Sequence, residues 1–342
     1  MKALILREFS QRMSLETMED PKPGPHDLIL RVTRCGVCGT DVKITTGLLP
    51  PSVISLPHVP GHEIAGVVEA RGSAVENVSL GQRGVVYFVV GCHDCEMCRT
   101  GREHLCLNLK RLGFELPGGF AEYVKVPAYN FCPFDDSMPD ENMAVLPDAV
   151  ATPYRALTER GGVKAGSYVL IVGIGGLGVH AVQIAKLMGA RVIAVDMRDE
   201  SLQLAKDYGA EFIVNPYAAD PQEAVMDITR GRGVDTVIEN VGIDATLRWT
   251  VSCLARGGTL VIVGYDPKKP FQVSAIDMHF NEWNIHGSRV STKQELMEVI
   301  TLVETGKIKP VIAKHFPWEQ ADEALMELKR GETVGRTVLT FN

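Results

Sequence analysis

Four cysteines, Cys92, Cys95, Cys98 and Cys106, fall in the run CHDCEMCRTGREHLC with the spacing C-x2-C-x2-C-x7-C. Two-residue gaps let neighbouring thiolates converge on one ion at about 2.3 Å, and four thiolates leave zinc no position for water or substrate. The chemistry of such a set is structural. A disulfide pair or an iron centre draws on the same residue type, so spacing alone does not name the metal. A second set is scattered: Cys35 and Cys38 in RCGVCGTD, His62 and Glu63 in GHE, and Asp148 in LPDAVATPYRAL. Residues of these types can ligate a metal, but they are separated in the chain and spacing alone does not join them. Taken singly, they also read as a redox C-x-x-C pair, a packing histidine and a helix N-cap.

The run VLIVGIGGLGVHAVQIAKLMGARVIAVD places Gly173, Gly175 and Gly178 as G-x-G-x-x-G after an apolar strand pattern and at the opening of a helical one. The first glycine permits a tight turn, the second lets the backbone approach a pyrophosphate, and the third allows close helix packing. Gly176 and Leu177 lie inside the same turn, and Val241 and Val263 complete the cofactor-binding candidates. Asp196 ends the next strand pattern. A carboxylate there accepts hydrogen bonds from ribose hydroxyls and repels a 2′-phosphate, which favours NAD over NADP. Arg198, two residues on, keeps a phosphate-accepting alternative open. The bland alternatives are a plain tight turn and a solvated carboxylate.

These residues need elements to carry them. Up to about Pro133 the sequence is short apolar runs broken by Gly and Pro, among them LILRVTR, IAGVVEA and GVVYFVV, the pattern of a twisted β-rich domain. From Ser167 the rhythm changes to strand then helix. YVLIVG, RVIAVD, EFIVN, VDTVIE, GTLVIVG and WNIHGS are six strand candidates of a parallel, doubly wound sheet. One crossover helix puts Leu177, Ala181, Ile184, Ala185 and Met188 on a single face. After Ser288 two helices, Lys293 to Glu304 and Glu319 to Arg330, and a strand, Thr337 to Phe341, are too few for a separate domain and are expected to rejoin the first.

The 342 residues suffice for two domains, and 45% hydrophobic with 23% charged residues describes a soluble globular protein. With 35 Lys and Arg against 42 Asp and Glu, the net charge of −7 argues against a nucleic-acid-binding face. The opening MKALILREFS reaches charge too early for a secretory signal, and no apolar run approaches a membrane span. The expectation is a cytoplasmic protein with reduced cysteines.

CGVCGTD, PGHEIAGVVEARG, the four-cysteine lobe, VGIGGLG and the ending GRTVLTF occur in the order seen in zinc-dependent medium-chain alcohol dehydrogenases, a resemblance that spans essentially the whole chain. The resemblance implies an α/β architecture. A GroES-like β-rich catalytic domain covers residues 1–149 and 289–342, with a structural zinc lobe at 91–107, and a Rossmann coenzyme domain with a doubly wound parallel sheet covers 150–288. It implies two zinc ions per subunit. Cys38, His62 and Asp148 hold the catalytic one, with Glu63 as a possible alternate ligand, and Cys92, Cys95, Cys98 and Cys106 hold the structural one. Cys35 has no ligand role. Thr40 takes the proton of the alcohol, and Asp41 orients the histidine ligand. Many relatives carry a histidine two residues beyond Asp41 for the outer proton relay; here the residue is Lys43.

The implied activity is hydride transfer between an alcohol and NAD, with a ketone or aldehyde as substrate in reverse, in a homodimer or homotetramer joined near residues 260–278. Polyols and amino-alcohols are alternative substrates of the same family. Other readings are a zinc-free reductase of activated double bonds, which normally lacks the lobe and GHE, and a non-catalytic NAD-binding zinc protein, which has no need of Thr40 beside Cys38, His62 and Asp148. Pocket residues are expected from 47–58, around Phe88 and after Ser288.

Overall fold

The alternating patterns resolve, in a computed structural model that describes residues Met1–Phe341, into two compact units. One is Met1–Asp148 with Ser291–Asn342; the other is Ala149–Val290.

The first unit is built on a seven-stranded sheet. Its order is Ile312–Pro317, Arg336–Thr340, Asp27–Val37, Glu63–Arg71, Arg83–Val86 and Phe131–Pro133, with Tyr123–Pro127 also paired to Asp27–Val37. The run LILRVTR forms the middle of strand Asp27–Val37, where Leu28, Ile29, Leu30 and Val32 are buried. Each such aliphatic side chain contributes roughly 1.5–3 kcal/mol relative to exposure. The run GVVYFVV divides into Arg83–Val86 and Val89–Val90.

Register decides what meets at one end of this sheet. Strand Arg336–Thr340 lies antiparallel to Asp27–Val37 with Thr337 opposite Val37 and Leu339 opposite Cys35. On the other side Cys35 pairs with Ile64 and Gly36 with Glu63. Arg336, near the end of the chain, is thereby carried beside residues near its beginning.

The second unit holds six parallel strands in the order Phe212–Val214, Arg191–Val195, Tyr168–Val172, Val234–Glu239, Leu254–Ile262 and Asn284–Gly287. That is a doubly wound sheet with the order reversing between Tyr168–Val172 and Val234–Glu239, where ligands bind beyond the carboxyl ends of the strands. Val169, Leu170 and Ile171 are wholly buried, which accounts for a continuous rather than alternating apolar run. Helix Gly178–Leu187 buries Ala181, Ile184 and Ala185; Leu177 and Met188 lie just outside it as its caps.

At the chain's end, helix Lys293–Glu304 begins with a capping box from Thr292 and Glu295. The segment expected as helix 319–330 is a short 3-10 turn, Trp318–Gln320, followed by helix Ala321–Lys329. Among the described residues no helix is long and apolar enough to cross a membrane.

Candidate functional site

Cys38 is the N-cap of helix Gly39–Thr45. Its sulfur accepts the Thr40 N–H at 3.4 Å, and its own N–H donates to Asp41 Oδ2 at 2.8 Å. The local sequence C-G-T-D therefore caps its own helix while turning the thiol inward. The second oxygen of the wholly buried Asp41 lies 3.2 Å from His62 Nδ1. One carboxylate thus holds both the cysteine backbone and the histidine ring, leaving Nε2 to face the centre.

His62 follows Gly61, whose φ is +95° and whose added Cβ would stand 2.5 Å from the Phe120 ring, so only glycine fits. Phe88 and Phe114 flank the imidazole, each with its ring centroid 5.1 Å away. The third group arrives on a π-helical turn, Leu146–Val150, which carries Asp148. The N-cap of the following helix is Val150, so capping is not the role of Asp148. Single π-turns concentrate at functional sites.

Cys38 Sγ and Asp148 Oδ2 are 3.2 Å apart, and His62 Nε2 is 3.8 Å from the same oxygen. One ligand atom from each of Cys38, His62 and Asp148 lies within 4.8 Å of the others, and all three residues are buried. Burial disfavours a charged His62, yet Asp41, Asp148 and Cys38 outweigh it and hold the imidazole well above its usual pKa. The pocket is thus built to surround positive charge. A thiolate and a carboxylate neutralise a divalent ion, and three protein ligands leave zinc a fourth position.

Glu63 does not join this group. Its carboxylate accepts from Arg336 Nε at 3.0 and 3.1 Å and from Nη2 at 2.6 Å, and an added Cβ on Gly36 would stand 1.9 Å from its Oε2. Adjacent residues entering a strand point to opposite sides, so His62 and Glu63 diverge. Burial raises the Glu63 carboxyl to about 7 while Arg336 pulls it down. Arg336 lies in the quoted ending GRTVLTF, but its role was not read there, because its partners lie far away along the chain. Cys35 is buried, its sulfur 3.7 Å from the Gly36 carbonyl, and burial raises its pKa well above the usual thiol value. It has no place in the ligand group, and no disulfide joins it to Cys38.

In the lobe, one sulfur from each of Cys92, Cys95, Cys98 and Cys106 lies within 4.8 Å of the others. All eight cysteines are unbridged. The backbone turns its N–H groups onto the sulfurs: Cys95 donates to Cys92 Sγ at 3.4 Å, and Cys92 and Asn108 each donate to Cys106 Sγ at 3.3 Å. N–H groups of Asp94 and Cys95 pull Cys92 down to about 6, whereas burial pushes Cys98 up to about 12. A divalent ion among four thiolates removes that conflict, and its shell is closed.

In the second unit Gly173 turns at φ +84°, and an added Cβ on Gly178 would stand 2.0 Å from the Gly173 carbonyl oxygen. An added Cβ on Gly175 meets nothing within 4 Å, so that glycine faces open space where backbone can approach a pyrophosphate. Asp196 is not a solvated strand end. Its Oδ2 accepts the Ile174 N–H at 2.7 Å and its Oδ1 the Arg198 N–H at 3.0 Å, with lone pairs left for ribose hydroxyls. Arg198 Nε lies 3.6 Å from that carboxylate.

Residues 24–136 match the alcohol dehydrogenase GroES-like domain and residues 176–305 the zinc-binding dehydrogenase family. An NAD-dependent alcohol dehydrogenase of Sulfolobus acidocaldarius is 36% identical over 99% of this chain and 99% of its own length. The chain belongs to the zinc-dependent medium-chain dehydrogenase/reductase family. An alcohol dehydrogenase of Geobacillus stearothermophilus is 34% identical over 99% of this chain and 98% of its own. The crystal structure of the Aeropyrum pernix alcohol dehydrogenase superposes with a TM-score of 0.94 at 34% identity, covering all of both chains.

Within that family framework, Thr40 is half-buried at the second position of the helix Cys38 caps, and Lys43 is half-buried in its last turn. Val241 is 39% exposed and Val263 half-buried, each just beyond a strand's carboxyl end. Segment 52–59 lines a cavity of about 230 Å³ with Ile5, Met18 and Phe114. Three residues that matter to the geometry were missed: Arg336, Phe114 and Glu239. A buried acid ending a central strand, as in VDTVIE, was a usable signal for the last.

Proposed function

We propose that this chain is an NAD-dependent zinc alcohol dehydrogenase, interconverting an alcohol and its ketone or aldehyde. The observation that carries the reading is the incomplete shell of Cys38, His62 and Asp148, buried yet one ligand short of tetrahedral. A zinc ion in this shell supplies Lewis-acid stabilisation of the negative charge that develops on the alcohol oxygen, and NAD supplies the hydride acceptor.

The chain's own residues do the rest. Cys38, His62 and Asp148 are the ligands, while Cys92, Cys95, Cys98 and Cys106 hold a second, structural zinc. Asp41 fixes the His62 tautomer. Thr40 Oγ1 receives the hydroxyl proton, and Lys43 passes it outward. Phe88 and Phe114 exclude water beside His62 and present an apolar wall to the carbinol substituent. That wall favours simple or aryl alcohols over polyols and amino-alcohols. Gly173, Gly175, Gly176, Leu177 and Gly178 cradle the pyrophosphate. Asp196 receives the ribose with Arg198 alongside, and Val241 and Val263 line the coenzyme's path. The coenzyme domain is residues 150–288 and the catalytic domain the remainder.

A cytoplasmic homo-oligomer completes the proposal. Strand Asn284–Gly287 is an edge of the six-stranded sheet, and Ile276 and Phe280 of the preceding helix are 63% and 70% exposed, an apolar surface suited to a second copy. Eight unbridged thiols suit a reducing compartment.

The deciding experiment combines metal analysis with a substrate panel. Two zinc ions per chain and an alcohol-dependent rise in NADH absorbance support the reading. Activity confined to activated double bonds overturns it in favour of a reductase, and no turnover with any member of the panel points to a binding protein.

A further inference from the structure

Strand Val234–Glu239 ends at the switch point of the parallel sheet, and its last residue carries a carboxylate that is wholly buried. Oε1 of Glu239 accepts the N–H groups of Val241 at 2.8 Å and Gly242 at 3.0 Å. Its main-chain oxygen accepts those of Val263 at 3.0 Å and Gly264 at 2.9 Å. One residue therefore ties the turn after its own strand to the loop after the neighbouring strand Leu254–Ile262. Asn240 makes the third tie: its N–H donates to the Val172 oxygen at 3.0 Å and its Nδ2 to the Gly173 oxygen at 3.3 Å.

The contacts at this junction leave no slack. An added Cβ on Gly242 would stand 2.1 Å from the Gly264 carbonyl carbon, and one on Gly264 would stand 2.1 Å from the Asn240 oxygen. Yet the clamp is an expensive one. Against the burial of the Glu239 carboxylate stand, among the described residues, only the two N–H groups on Oε1 and, as the weakest influence, the nearby Thr246 hydroxyl, which also reaches the Ile243 oxygen at 3.1 Å. Burial raises the carboxyl to about 7. A turn that only needed closing could be closed without burying an ionisable group at a cost. What this arrangement holds together is the three loops at the carboxyl ends of the central strands, where a dinucleotide binds.

We propose that Glu239 and Asn240 are positioning residues for the dinucleotide, setting the mutual placement of the Gly173–Gly178 turn, Val241 and Val263 without touching the coenzyme themselves. This rests on the NAD reading above. A misplaced loop loses N–H contacts to the pyrophosphate and apolar contacts to the rings, so the effect falls on coenzyme affinity and not on the alcohol.

The test is an NADH titration of the zinc-loaded enzyme, followed by fluorescence, together with KM values for NAD and alcohol. Glu239→Leu removes the acceptor and should raise the NADH Kd by at least about tenfold, the size of one charge-assisted hydrogen bond. The alcohol KM should stay within about twofold and the zinc content at two per chain. Glu239→Gln offers an amide oxygen to the same two N–H groups and should restore the Kd to within about threefold. Asn240→Ala, a gentler change, should raise the Kd about three- to tenfold. A folded Glu239→Leu with wild-type Kd, a failed rescue by glutamine, or an Asn240→Ala with wild-type Kd each overturns the assignment. Should Glu239→Leu not fold, Asn240→Ala and Glu239→Gln decide alone. A wild-type chain that binds no NADH overturns the coenzyme reading along with it.

Discussion

Arg336 Nη2 donates to Asp148 Oδ2 at 2.7 Å, the same oxygen that lies 3.2 Å from the Cys38 sulfur. The guanidinium also holds Glu63, so one buried cation serves two buried carboxylates. Burial opposes its charge, but Cys38, Glu63 and Asp148 outweigh burial and keep its pKa well above the usual arginine value. By drawing electron density from Asp148, Arg336 weakens that carboxylate as a donor, so an ion held by Cys38, His62 and Asp148 would be more electrophilic.

Arg336→Met should therefore strand Glu63 and Asp148 without a counterion. Removing one partner of a buried pair costs about 3–5 kcal/mol. Urea unfolding should show a loss of that size; a loss below about 1 kcal/mol means the network is not stabilising.

Asp148→Asn keeps the shape of the third ligand and removes its charge. Zinc content should fall from two to one per chain, with turnover down by at least about a hundredfold and NADH binding intact. Retention of both ions with full turnover removes Asp148 from the ligand set.

Cys98→Ser opens the closed lobe. One zinc should be lost and the melting temperature should drop, while kcat of the protein that stays folded changes by less than about threefold. An equally stable but inactive variant overturns the division between a structural and a catalytic ion.

Glu239 sets a pH dependence of stability. Its carboxyl titrates at about 7 when folded, against the usual 4.5. The folded chain therefore holds a proton that the unfolded chain releases, and this contribution is complete below 4.5 and lost as pH rises through 7. The difference amounts to about 3 kcal/mol. Glu239→Gln lacks the titration, so the gap in unfolding free energy between wild type and variant should shift in the variant's favour between pH 5 and 8. A gap independent of pH refutes the assignment.

Asp196→Gly removes the carboxylate beside Arg198. The ratio of kcat/KM for NADP over NAD should rise by about tenfold or more, since repulsion of the 2′-phosphate is relieved and a cation remains. An unchanged ratio means Asp196 only braces the Ile174 N–H.

Local patterns were readable because their physics is local. The glycines of VGIGGLG are dictated by a turn a few residues long, the inner apolar strands Tyr168–Val172, Arg191–Val195 and Val234–Glu239 by burial on both faces, and the four lobe cysteines by ligand spacing within one short segment. The capping box of Cys38 and Asp41 lies in four consecutive residues and is local, but that Asp41 also reaches His62 was implied only by the family resemblance.

The residues that complete the site obey longer-range rules. That Asp148 joins Cys38 and His62 depends on a π-helical turn, and that Glu63 does not depends on the pairing of Gly36 with Glu63 and on Arg336 arriving through a strand at the chain's far end. The amino-acid sequence by itself determined the donors, the cofactor turn and the two strand rhythms. Tertiary structure decided which donors share an ion and which carboxylate is turned away, because strand register, set by pairing across the whole chain, places side chains on one face or the other.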